Sequence, residues 1–359
     1  MRNASAAQLL KNFKRKFEPF LKKYFIEKIY QANKIDSITK EAINLIMDYT
    51  MSGGKRIRPA FLYYSYLAAG GENSNEIFKI SMSIELLHSF GLIHDDIIDK
   101  DASRHGVATI HEKYKKIATK YNSAKEKNHF GNSMAIISGD ITNSMAHDII
   151  FNTSFPNEVK LKFLNKLEKI IFLTCSGQML DVTLSYQNKT TEKQILEMHE
   201  RKTAHYTFEG PAHLGCILAG ADKSYINLFS KYALPLGKAF QIKDDIMGVF
   251  GNEKEIGKTV GSDIIEGKKT LLVMKALEKG NKKEKLHIIK CLNNKNISKK
   301  ELEEFRNIII KTGSLKYSED LAKSFANEAK KNLVKINFKD NNAKNFFTGV
   351  VDYIVNRKI

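Results

Sequence analysis

Five aspartates carry the first chemical signal in this chain. Asp95, Asp96 and Asp99 stand in HDDIID, directly behind the apolar run LLHSFGLI, and Asp244 and Asp245 stand in FQIKDDIMG behind a second amphipathic run. On a helix, Asp95 and Asp99 lie one turn apart and project to the same side, where two carboxylates can share a hard, oxygen-seeking cation. Magnesium suits such a pair: it takes near-octahedral oxygen coordination, keeps waters, and binds through one or two carboxylates together with substrate phosphates. A lone DDxxD is more often a solvated acidic face. Here the preceding apolar residues argue against full solvation, and a second motif of the same form argues against chance. Two such motifs on facing helices of one cavity would hold several Mg2+ ions around a single diphosphate.

Cationic groups stand where such an anion would need them. GGKRIRP, residues 53–59, sets Lys55 and Arg58 beside glycines at a helix start, where backbone N–H groups and the helix dipole already favour phosphate oxygens. Arginine adds bidentate contacts and lysine a point charge, although this stretch taken alone equally suits a basic helix end facing water. His88 lies two turns before Asp95 on the same face; a lone histidine is usually a satisfied packing residue, so its role depends on its neighbours. Lys202 and Thr203 in ERKTAHY, Gln241 beside the second acidic motif, and Lys258 and Lys268 in GKTVGSDIIEGKKT complete a set of donors, each weak by itself.

The elements that must position these residues read as helices. Apolar residues recur at three- and four-residue steps in nearly every segment, and only 5 prolines interrupt them, so the fold class is all-α. Ile77, Ile80, Ile84, Leu87, Phe90 and Ile97 follow one helical stripe, while Glu85, His88, Asp95 and Asp99 follow another, so one helix can face both a core and a polar cavity. Further helices are expected over roughly 5–32, 39–50, 57–69, 130–151, 157–186, 191–219, 224–250 and 268–279, with several after 282. Loops are expected at 52–56, 69–75, 121–133, 185–191 and 251–263. The first 30 residues and the Lys-rich stretches near 121–130 and 279–300 read as solvated helices.

The formal net charge of +18 admits nucleic acid, an anionic membrane surface or a polyanionic small substrate, and lysines on solvated helix faces account for most of it. No helix-turn-helix or aromatic-basic reading surface supports nucleic acid. The 3 cysteines are far apart, which suggests neither a disulfide framework nor a zinc site and fits a reducing cytoplasm. No segment reads as a signal peptide or an integral membrane span.

From about residue 30 onward the sequence resembles the trans-isoprenyl diphosphate synthases, or polyprenyl synthetases, in an order-preserving match. GGKRIRP, HDDIID followed by RHG, ERKT, FQIKDDIMG and GKTVGSDIIEGKKT stand in the order of that family's basic motif, first aspartate motif, Lys-Thr motif, second aspartate motif and late lysines. The resemblance implies a single domain over residues 1–359, about ten core helices around a deep central cavity, and a homodimer. It implies that Asp95, Asp99 and Asp244, supported by Asp96 and Asp245, bind three Mg2+ ions on an allylic diphosphate. Arg104, Lys202, Lys258 and Lys268 would contact that diphosphate, Lys55, Arg58, His88 and His105 would hold isopentenyl diphosphate, and Thr203 and Gln241 would stabilise the allylic cation. A transient contact with a membrane surface would serve product release.

Two departures from the family pattern stand out. His105 occupies the second of two positions where the family typically has arginines, which ties isopentenyl diphosphate affinity to pH. Gly248 replaces the third aspartate of the second motif, as in archaeal-type members. Phe90 precedes Asp95 by five residues, about 7.5 Å along the helix axis, and an aromatic there resembles geranylgeranyl diphosphate synthases of archaeal type, with Phe90 as part of the floor beneath the growing chain. Farnesyl or longer-chain synthesis, a terpene cyclase and a non-catalytic subunit of a heteromeric synthase are the alternatives; GGKRIRP and His88 argue against the cyclase, and both intact aspartate motifs against the subunit.

Overall fold

The computed structural model describes residues 5–121, 126–251 and 261–355, and these are overwhelmingly helical. Local signals set where many helices begin. Asp36 accepts the N–H of Thr39 at 2.6 Å to start α2 (Ser37–Met51), and Asp222 accepts that of Tyr225 at 2.8 Å to start α10 (Lys223–Phe250). Reciprocal capping boxes open α8 (Glu192–His199) at Thr191 and Gln194, α13 (Lys282–Cys291) at Asn281 and Glu284, and α14 (Lys299–Lys311) at Ser298 and Glu301. Backbone proximity groups the chain into two compact units. One holds Gln8–Tyr63 and Gly71–Lys160; the other holds Tyr64–Gly70 and the chain from Leu161 onward, with the segment ending at Ala7.

In the amino-terminal unit, α1 (Ala6–Asn33) buries Phe13, Phe17, Leu21 and Phe25 at a four-residue step, none more than 2% exposed. This overturns the reading of the first 30 residues as a solvated helix: its lysines face out, but its aromatic stripe is core. Phe13 stacks on Phe78 of α4 (Asn75–Asp99) with ring centroids 5.8 Å apart. The second half of α4 packs on α6 (Lys127–Phe151) at Gly139, where any side chain would run into the His94 ring. The chain between them forms a two-residue antiparallel ribbon, β1 (Ser103–Arg104) and β2 (Val107–Ala108), followed by α5 (Ile110–Ala118). Helix α5 was not expected, and α6 begins inside the stretch read as a loop over 121–133. α3 (Ile57–Ala68) starts directly after the basic glycine loop.

In the carboxyl-terminal unit, α10 packs against α15 (Ser314–Leu333) and against residues 200–209. Its apolar face joins Ile242, Ile246 and Val249 to Leu271 and Leu272 of α12 (Leu271–Lys279) and to Phe305 and Ile309 of α14. The four-residue α11 (Ser262–Ile265) adds Ile264 to that core, and α16 (Asn341–Val355) adds a second one, where Tyr232 donates to the Phe347 carbonyl at 2.9 Å. The single helix expected over 191–219 is three pieces: α8, a π-helical segment Glu200–Glu209, and α9 (Gly210–Leu218). Among the described residues, no helix is long and apolar enough to cross a membrane.

Candidate active site

The first aspartate motif closes α4, and its three carboxylates have different surroundings. Asp95 and Asp99 are partly exposed one turn apart, whereas Asp96, between them, is 1% exposed. Tyr49 donates to Asp96 Oδ2 at 2.5 Å, and Arg104 donates through Nε to Oδ1 at 2.7 Å. Burial pushes the Asp96 carboxyl above the ordinary carboxylate range, with the bonds from Arg104 and Tyr49 working against that push. By sequence Asp96 groups with the metal ligands in a supporting role; in the fold both of its oxygens are engaged by protein donors. Arg104 also bonds Asp101 at 3.0 Å, so its guanidinium is fixed in place beside the motif.

The residues assigned to the second substrate gather within the same unit. Arg58 Nη1 lies 3.1 Å from His88 Nε2. Desolvation, then the charges on Arg58 and Arg104, holds His88 well below the usual histidine range. The ring is therefore neutral, and Nε2 accepts from the guanidinium while the proton sits on Nδ1. His105 lies at the tip of the β1–β2 ribbon with φ 50°, and its ring rests against Gly53: a Cβ on that glycine would sit 2.8 Å from the His105 Cγ. Although the residue is exposed at its edge, desolvation and the charges on Arg104, Arg56 and Lys14 pull its imidazole below the usual value. Lys55 is exposed in the same loop, two residues before α3 begins. Phe90 meets the His94 ring edge-on, centroids 4.8 Å apart.

The second aspartate motif, in the carboxyl-terminal unit, repeats the pattern. Asp244 is partly exposed and Asp245 is 6% exposed. Gln241 donates to Asp245 Oδ1 at 2.8 Å and accepts from the Thr203 hydroxyl at 2.6 Å, and His199 Nε2 lies 3.1 Å from Asp245 Oδ2. Two residues assigned to the allylic cation are thus hydrogen-bonded to one another and to the motif. Lys202 donates to Asp181 of α7 (Asn157–Tyr186) at 2.6 Å. Lys202 and Thr203 belong to the π-helical segment, whose wider turn is common at functional positions. Gly177 of α7 and Gly237 of α10 lie against its backbone at Lys202 and Ala204, too close for any side chain.

Gly248 has a physical reason. A Cβ there would stand 2.5 Å from Asp263 Oδ2, so the space a third aspartate would need is taken by a carboxylate arriving from α11. Lys268 pairs with Glu266 at 2.6 Å and lies 3.8 Å from Asp263. Lys258 lies outside the described residues. Tyr49, Arg56, Asp101, Asp181, His199 and Asp263 emerge as partners only in the fold. Asp181 had a signal, a charge at four-residue steps from Gly177 and Ser185 on an otherwise amphipathic helix; Tyr49 and His199 had none.

A helical fold that sets aspartate pairs at the ends of apolar helices, with basic residues held beside them, belongs to the isoprenoid-synthase class of all-α architectures. In structure the chain is similar to a geranylgeranyl pyrophosphate synthase from Corynebacterium glutamicum solved with isoprenyl diphosphate and magnesium, at TM-score 0.92 and 25% identity over 97% of this chain and 99% of that one. In sequence it is 37% identical to the geranylgeranyl diphosphate synthase of Sulfolobus acidocaldarius over 80% of this chain and 82% of that protein. It is 32% identical to that of Saccharolobus solfataricus over 93% and 97%. The polyprenyl synthetase family model matches residues 40–309, and the chain belongs to that family of magnesium-dependent trans-prenyltransferases.

The donor set fits magnesium. Asp95 and Asp99 offer partly exposed carboxylate oxygens from one face of α4, the hard ligands this cation takes, while Asp96 is committed elsewhere.

Proposed function

We propose that the protein condenses isopentenyl diphosphate head-to-tail with an allylic diphosphate to give geranylgeranyl diphosphate, with both aspartate motifs serving the reaction. The observation that carries this reading is the shared design of the motifs: each sets a partly exposed aspartate beside a buried one whose partners orient a further residue of the proposed site. Asp95, Asp99 and Asp244 would hold magnesium, three ions in this reading, which when bound would supply positive charge to the leaving oxygens of the allylic diphosphate.

The chain's own groups do the rest. Arg104, held by Asp96 and Asp101, and Lys202, Lys258 and Lys268 bind the allylic diphosphate. Lys55, Arg58 and His105 bind isopentenyl diphosphate, with His88 orienting Arg58 and offering its Nδ1 proton as a donor. Thr203 and Gln241 place oxygen dipoles toward the carbon that becomes cationic, from which water, which would quench it, must be kept. The double bond of isopentenyl diphosphate adds to that carbon, and the proton then lost passes to the released pyrophosphate. Phe90, braced by His94, limits chain length.

Both units form one domain in this reading, since the family match runs across them. The enzyme works as a cytoplasmic homodimer that touches membrane only for product release. The outer face of α7 supports a second copy: Phe172, Cys175, Met179, Val182 and Tyr186 are exposed at alternating three- and four-residue steps, Phe172 by 74% and Tyr186 by 86%. That spacing is the seam of two helices packed side by side.

The test is incubation with isopentenyl diphosphate and Mg2+ plus dimethylallyl, geranyl or farnesyl diphosphate in turn, followed by chromatography of the dephosphorylated products. A C20 alcohol from each starter, lost on chelation, supports the proposal. A C15 or C25 end product revises the chain length, and no chain extension at all refutes the function.

A further inference from the structure

Helix α1 lies ahead of the family match, and the sequence gives it no chemical role. In the fold it reaches the basic loop with two side chains. Lys14 Nζ donates to the Gly54 carbonyl at 3.0 Å, and Glu18 Oε1 accepts from Arg56 Nη2 at 3.2 Å and Nε at 3.3 Å. Arg56 is 4% exposed and donates its other amino group to Glu85 of α4 at 2.5 Å. It therefore spans α1 and α4 from inside the loop.

The loop needs such a clamp. Gly54 has φ 93° and Arg56 has φ 55°, the left-handed region that a side chain beyond glycine enters at an energetic cost. A non-glycine residue stays there only when its surroundings over-determine it, and two carboxylates on one guanidinium do so. Arg56 stands between Lys55 and Arg58, so its conformation sets the direction in which both leave the backbone.

We infer that Glu18, through Arg56, is a positioning residue for the isopentenyl diphosphate site, and that α1 sets the affinity for that substrate without touching it. The inference rests on the assignment of Lys55 and Arg58 to isopentenyl diphosphate. Positioning and simple charge make opposite predictions. Glu18 is an anion near a site for an anion, so if only its field matters, removing it tightens isopentenyl diphosphate binding. If it holds Arg56, removing it loosens the loop and weakens binding.

The experiment is steady-state kinetics on full-length Glu18→Ala and Glu18→Gln with each substrate varied in turn, with thermal melting as the check on folding. The expected result is a KM for isopentenyl diphosphate raised about five- to tenfold in Glu18→Ala, with kcat and the allylic KM within about twofold of the parent. Glu18→Gln, which keeps a carbonyl acceptor for Arg56, falls between. If Glu18→Ala does not fold, the Glu18→Gln shift alone decides. An isopentenyl diphosphate KM that is unchanged or lowered, or one that rises together with the allylic KM, overturns the inference while leaving the prenyl transfer activity standing. A parent protein with no prenyl transfer overturns both.

Discussion

The two aspartate motifs look alike in sequence and are anchored in different ways. In the first, buried Asp96 is neutralised by a full cation, Arg104, and a phenol, Tyr49. In the second, buried Asp245 is met by an amide, Gln241, and an imidazole, His199, and the amide passes the chain of bonds on to Thr203. In both, the second aspartate of the pair turns into the protein and orients another residue, which leaves the first to face outward. The difference lies in what is oriented: a guanidinium in one motif, a side-chain amide and a hydroxyl in the other. Adjacent aspartates in each DD pair are therefore unequal.

That inequality can be broken by substitution. The largest effects belong to the outward carboxylates: Asp95→Ala and Asp244→Ala each lower kcat about 10^3-fold if both motifs act on the same leaving group, read from product formation at saturating Mg2+. A large loss at only one of them would break the symmetry.

The buried aspartates separate by stability. Asp96→Asn weakens the charge-assisted bond from Arg104, which keeps Asp101 as an anionic partner, together with the bond from Tyr49, and costs about 2–3 kcal/mol, whereas Asp245→Asn weakens its bond from the Gln241 amide and costs about 1 kcal/mol. Denaturant melts of the two variants check the order, and equal losses would show that the anchors are equivalent. Gly248→Ala comes next. Its methyl group would force Asp263 aside, and activity is expected to fall about tenfold with little change in melting temperature, because only a close carboxylate must give. Parent-like activity would show that the carboxylate beside Gly248 has no part in the second motif.

The smallest effect is acid sensitivity on the first motif's helix. His88 is neutral in the fold at pH values where the unfolded chain takes up its proton, so as pH falls below about 6.5 the unfolded state gains a proton that the folded state refuses, and stability declines. The expected loss is about 1 kcal/mol per pH unit between pH 6 and 5. His88→Gln should lower the slope by that amount, with His105, His111 and His213, also held below the usual histidine range by burial, keeping the remainder; an unchanged slope would place the acid sensitivity elsewhere.

The helices were legible because burial at a 3.6-residue period leaves a direct trace: Ile77, Ile80, Ile84 and Leu87 are all core. The aspartates were legible as a pair because their residue types and spacing repeat. The π-helical segment was not legible, since a shift from four- to five-residue hydrogen bonding leaves composition unchanged; the glycines that admit it, Gly177 and Gly237, lie on other helices. The core role of α1 was obscured by its many lysines, although Phe13, Phe17, Leu21 and Phe25 keep the four-residue step. The division of labour within each DD pair depends on Tyr49, Arg104 and His199, whose approach follows from tertiary packing and from no local pattern.

The central proposal is that Asp95, Asp99 and Asp244 are the metal-binding carboxylates. Anomalous diffraction from crystals grown with Mn2+ and inorganic pyrophosphate tests it most directly. The account predicts manganese bound by Asp95 and Asp99 and manganese bound by Asp244 when pyrophosphate is present. Manganese at one motif alone, or at neither, would contradict it.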